Sequence, residues 1–154
     1  DLGWIYLMAF GNGGSSVDPT GVITYLPPNT TGQNADLYNE TYAKVVDAKQ
    51  SSSLDPARNF MEVRHVLGTA YSDILVSCLL DFGEPGDQSA FDNATNADGK
   101  YVFDELGLKA YSPEGPGLGD LLTHVIFHPV QKSLNRMIQI DYTVRIQSLS
   151  GFNG

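Results

Sequence analysis

A single cysteine, Cys78, stands in 154 residues, which excludes an intrachain disulfide and any zinc site built on cysteine pairs. Basic side chains are scarce: 9 Lys and Arg against 18 Asp and Glu, a formal net charge of −9. No cluster of them could neutralise a run of phosphates, so a nucleic-acid partner is excluded. Long apolar runs are missing as well. The longest, Trp4 to Phe10, falls far short of the roughly 18 residues of a membrane-spanning helix, and no membrane partner is expected.

What is abundant is turn chemistry. Sixteen glycines and eight prolines favour β-structure, and 42% hydrophobic with only 18% charged residues is a globular balance. A chain of this length buries roughly 68–70% of its unfolded surface, enough for one core without staples. Cys78 then reads as a small core residue.

Hydrophobic spacing divides the chain. Residues 11–19 (GNGGSSVDP) and 27–34 (PPNTTGQN) are turn clusters around the short strand-like run Val22–Leu26. Over 35–49, Leu37, Tyr38, Tyr42, Val45 and Val46 recur at helical spacing, and Asn34 can cap the N-terminus, so one amphipathic helix is predicted. From residue 59 the period becomes two. In Tyr71–Phe82, Ile74, Val76, Cys78, Leu80 and Phe82 share a face; in Met137–Gln147, Ile138, Ile140, Tyr142, Val144 and Ile146 do. Phe60–Leu67, Lys100–Leu108 and Leu121–His128 supply further strands. The expected fold is mainly β: an antiparallel β-sandwich over 58–150 with one amphipathic helix. An N-terminal arm, 1–57, precedes it and a short tail, 151–154, follows.

The chemistry-bearing motifs are thin. GNGGSS at 11–16 lacks the lysine of a phosphate-binding loop, so the expected reading is a flexible loop. His124 and His128 lie on a strand, roughly 13 Å apart, too far to share an ion. Asn96, Asp98 and Glu105 match positions three, five and twelve of a calcium loop around Gly99, but Ala94 stands where the first carboxylate belongs; an Asp-Gly turn is the simpler reading. Asp104 and Glu105 are strand neighbours, expected on opposite faces and unable to share a substrate. No catalytic, cofactor-binding or metal-binding residue is assigned, and no enzyme is expected.

The segment 103–147 (FDELGLKAYSPEGPGLGDLLTHVIFHPVQKSLNRMIQIDYTVRIQ) is similar to a pattern found in structural proteins of tailed bacteriophages. The pattern is an acidic-Leu-Gly-Leu strand, a glycine turn, a Leu-Leu-x-x-Val-x-Phe strand, a segment ending in Lys, and a long alternating strand. Residues 8–50 resemble the leading part of virion proteins of contractile-tailed phages, cyanophages included. The resemblance implies a non-enzymatic virion component of tail, neck or baseplate, localised in the particle and partnered by copies of itself and other virion proteins. The alternatives are a capsid decoration protein, or a glycan-binding sandwich with Phe91 beside polar loops. A lead that closes no core of its own would set Trp4, Tyr6 and Phe10, with Phe152 in the tail, against neighbouring subunits.

Overall fold

A computed structural model describes residues 5–30, 35–50, 53, 55–65, 67–68, 70–85 and 100–147. Among these described residues nine strands follow in order: β1 (Ile5–Gly11), β2 (Ser15–Val17), β3 (Ile23–Tyr25), β4 (Glu40–Val45), β5 (Phe60–His65), β6 (Tyr71–Leu80), β7 (Tyr101–Ala110), β8 (Leu121–Lys132) and β9 (Ile138–Gln147). All pairings are antiparallel, and they form a four-stranded sheet β4-β1-β7-β8, a three-stranded sheet β5-β6-β9 and the hairpin β2-β3. The fold is mainly β and sandwich-like. The two larger sheets share a core of Met8 and Phe10 from β1, Val76, Cys78 and Leu80 from β6, and Phe103, Leu106 and Leu108 from β7.

The period-two strands from residue 59 onward fall where the spacing puts them. Ile74, Val76, Cys78 and Leu80 point inward, met by Ile138, Ile140, Tyr142 and Val144 of β9. The two predicted face members at the strand ends differ: Phe82 and Ile146 are exposed.

Three expectations are corrected. Among the described residues there is no helix. The segment read as helical contains β4, which lies along β1 from Leu7↔Val45 to Gly11↔Glu40. Its apolar residues satisfy both periods: Tyr42 and Val46 pack into the inter-sheet core while Ala43 and Val45 pack on the other face. Six residues are too few for the pattern to choose, and the open edge of β1 decides.

The lead is no arm, since β1 sits in the middle of the larger sheet, between β4 and β7. All seven of its residues are buried, because a second cluster (Tyr6, Leu7, Ala9, Leu37 and Leu121) covers the sheet's outer face. A strand covered on both sides reads as an unbroken apolar run. Tyr6 and Phe10, expected at a subunit interface, are therefore core residues of this chain, 6% and 0% exposed; Trp4 and Phe152 lie outside the described residues.

The third correction concerns β7. Its inward-facing set changes parity, from Tyr101 and Phe103 to Leu106 and Leu108, at a register shift against β8 between Phe103 and Glu105. An irregularity of this kind re-aims side chains. Asp104 and Glu105 both turn to the outer side, toward residues 13–15 and 38–39.

Candidate functional site

The parity change builds a buried carboxylate pair. Asp104 accepts the backbone N–H groups of Gly14 and Ser15, each at 2.9 Å, and the Ser15 hydroxyl at 2.5 Å. Glu105, 0% exposed, accepts four donors. Gly13 and Asn39 N–H reach its Oε2, both at 2.9 Å, and Tyr38 N–H (2.9 Å) and His124 Nε2 (2.7 Å) reach its Oε1. His124 Nδ1 in turn accepts the Asn29 N–H at 2.8 Å. The ring thus carries its hydrogen on Nε2, which donates to Glu105. Two adjacent side chains of β7 and one of β8 thereby hold three stretches of the lead: 13–15, 29 and 38–39.

This explains the glycines of the GNGG segment. A Cβ on Gly13 would stand 2.8 Å from the Tyr38 Cβ, and one on Gly14 would stand 2.8 Å from Ile126 Cδ1 and 3.1 Å from an Asp104 oxygen. At these two positions a side chain would collide with its neighbours, so the loop lays its N–H groups on the carboxylates only with glycine there. The loop read as flexible is thus an anion cradle whose anions are the chain's own carboxylates.

Above this pair sits the β2-β3 hairpin. Its tip is an Asp18 turn in which one carboxylate oxygen accepts Thr20 N–H, the Thr20 hydroxyl and Val22 N–H, with Gly21 at φ +88°. Leu26 N–H bonds Gly14 O at 2.8 Å, and Tyr25 OH meets His128 Nδ1 at 3.2 Å. Two-stranded hairpins are marginal alone; this one is held from below by Asp104. It presents Val17, Val22, Tyr25 and Leu26 to solvent, from 44% to 64% exposed. The two histidines four residues apart accordingly have separate duties, His124 below the hairpin and His128 beside it.

A second polar cluster closes the β6–β7 side. Lys132, fully buried, donates to the carbonyls of Asp81 (2.9 Å), Glu84 (2.7 Å) and Ser133 (2.9 Å); burial lowers its ammonium pKa. Glu84 receives Lys44 Nζ and Tyr42 OH. Burial works to raise the Glu84 carboxyl, but those donors and the Asp81 N–H outweigh it and leave it below its usual value. Tyr42 is raised, by burial first and then by the carboxylate it meets.

Chemically, a Glu–His pair such as Glu105–His124 can serve acid–base work. Here both side chains are wholly shielded, and both oxygens of the one and both nitrogens of the other are occupied within the chain. Glu105 is likewise unavailable to a calcium ion; Asn96, Asp98 and Phe91 lie outside the described residues. Among the described residues no group of three His, Cys, Asp or Glu could hold a metal. A cleft of about 510 Å³ lies elsewhere, lined by Asp47, Lys49, Gln50, Met61, Val63 and Tyr111, with one carboxylate and one lysine as its charged groups.

Sequence reasoning missed the carboxylate pair because five of its seven donors are backbone amides, which leave no side-chain signature. The one visible signal was glycine at both 13 and 14. Comparison with protein-family models, with curated proteins and with solved structures finds no match to this chain.

Proposed function

We propose that this chain is a non-enzymatic structural component of a tailed-bacteriophage virion, of the tail, neck or baseplate, acting through subunit–subunit contacts. The observation that carries this reading is the β2-β3 hairpin: buried carboxylates fix it, yet its apolar side chains face water. Ordering a hairpin in order to expose Val17, Val22, Tyr25 and Leu26 is favourable for a molecule that covers them with a neighbour. The resemblance of residues 103–147 to phage structural sandwiches supplies the kind of neighbour, another virion protein.

Mass spectrometry of purified particles tests it. The chain is expected among the virion proteins, at about six or twelve copies for a tail or neck ring. Copies on the order of hundreds would move it to the capsid surface. The paired substitution Val22→Asp and Leu26→Asn, on the exposed hairpin, is expected to abolish incorporation while leaving thermal unfolding unchanged. Particles that lack the wild-type chain, or that take up the variant as readily, would overturn the reading.

A further inference from the structure

The edges of the two larger sheets are protected unequally. β8 carries Pro129 and two register shifts, β4 is short and also shifted, and β5 has six residues whose Glu62 and Arg64 bond each other at 3.0 Å. Proline, bulges and short length are the means by which edge strands avoid pairing with other chains. β9 has none of them. Its ten residues pair with β6 without a shift, from Leu80↔Ile138 to Tyr71↔Gln147, and among the described residues no strand pairs with its other edge.

We infer that β9 is a self-pairing edge, joining two copies of this chain antiparallel about a two-fold axis at Thr143. This deepens the structural reading above by naming one partner, and rests on it. The register follows from charge. With Thr143 opposite its own copy, Asp141 stands opposite Arg145 of the second copy, and Arg145 opposite its Asp141. Both pairs are thereby satisfied by one symmetry operation. On the inner face the same register sets Ile140 against Ile146 of the second copy and Tyr142 against Val144. Ile146 is 48% exposed in the single chain, and this pairing covers it.

Neighbouring two-fold registers fail. Centring on residue 141 or 145 opposes like charges, and centring on 142 or 144 leaves both charges facing uncharged residues. Each charge also has a partner on β6: Asp73 holds Arg145 Nε and Nη2 at 2.9 and 3.2 Å, with the guanidinium 5.4 Å from the Tyr71 ring centre, and Asp141 accepts the Ser77 hydroxyl at 2.8 Å. Nη1 is left for a second carboxylate. Pairing would extend β5-β6-β9 into one six-stranded sheet across two copies, an addition of strand to strand.

Charge exchange tests the register. Sedimentation equilibrium of the full chain is expected to show a dimer. Asp141→Lys alone, or Arg145→Glu alone, places two like-charged pairs at the axis and should weaken dimerisation by about tenfold or more. An equimolar mixture of the two variants restores opposite charges at every pair, and heterodimers should return, identified by native mass spectrometry. That return also shows that neither variant is unfolded. A monomeric wild type, variants that dimerise as the wild type does, or a mixture that stays monomeric would each overturn the inference. Self-association unchanged in all variants, in a chain still found in particles, would reject the β9 register and leave the structural role standing. A β9 dimer absent from particles would do the reverse.

Discussion

Replacing Glu105 by Gln tests the buried carboxylate pair most directly, because shape is kept and only acceptor capacity changes. Each Glu105 oxygen receives two donors: Tyr38 N–H and His124 Nε2 on one, Gly13 and Asn39 N–H on the other. Whichever way the amide turns, its NH2 group faces two donors and accepts from neither. The histidine cannot relieve this by changing tautomer, since Nδ1 already accepts from Asn29 N–H. Each unsatisfied buried donor costs about 1–3 kcal/mol, and removing a buried charge returns part of that. A net loss of about 2–4 kcal/mol is therefore expected. For a chain of this size it corresponds to a fall in Tm of roughly 5–15 °C. Thermal and urea unfolding followed by circular dichroism read the loss, and amide hydrogen exchange locates it at Gly13, Tyr38 and Asn39. An E105Q protein with an unchanged urea midpoint and full protection at those three amides would refute the reasoning.

Lys132→Met is expected to lower stability by about 2–4 kcal/mol in urea unfolding, since it strands the carbonyls of Asp81, Glu84 and Ser133 inside the fold. Glu84 gives a pH dependence of definite sign. Its carboxyl is held below the usual 4.5, so the stabilisation it gains from Lys44 and Tyr42 is complete above that value and is lost as pH falls through the lower folded-state value. The stability difference between wild type and Glu84→Gln should accordingly be full above 4.5 and shrink as pH falls below it. Cys78, whose thiol burial raises to about 12, should resist iodoacetamide in the native protein and react at an ordinary rate once urea unfolds it.

The strands that bury one face were legible in the sequence. In β9 the inward residues alternate with Gln139, Asp141, Thr143 and Arg145, and in β6 Asp73 and Ser77 keep the period of two legible although Leu79 on the outer side is buried as well. Legibility failed where a second physical demand overlay the first. β1 shows no alternation because both of its faces are covered, so Ile5 to Phe10 could be read equally as surface awaiting a partner. β4 spans too few residues to separate a helical from an extended pattern, and its conformation is imposed by pairing to β1. In β7 a local register shift placed Asp104 and Glu105 on the same side, against the rule for adjacent strand residues. The site they build was hidden for another reason: of the donors that reach the two carboxylates, five are main-chain amides, whose placement depends on the fold and not on residue type. Glycine at positions 13 and 14 marks the need for close approach without saying what is approached.

The central place of β1 bears on how the chain comes to be folded at all. Ile5 pairs with Ala110 and Phe10 with Leu106, so β1 must wait for a strand made about a hundred residues after it. At ribosomal rates of about 5–20 residues per second that interval is roughly 5–20 s. Throughout it, IYLMAFG can find β4 on one side but has no β7 on the other, and loop closure over such a span makes spontaneous refolding slow. The half-made polypeptide is thus a natural client for a chaperone, and a truncation ending before residue 101 should aggregate rather than form a smaller stable unit.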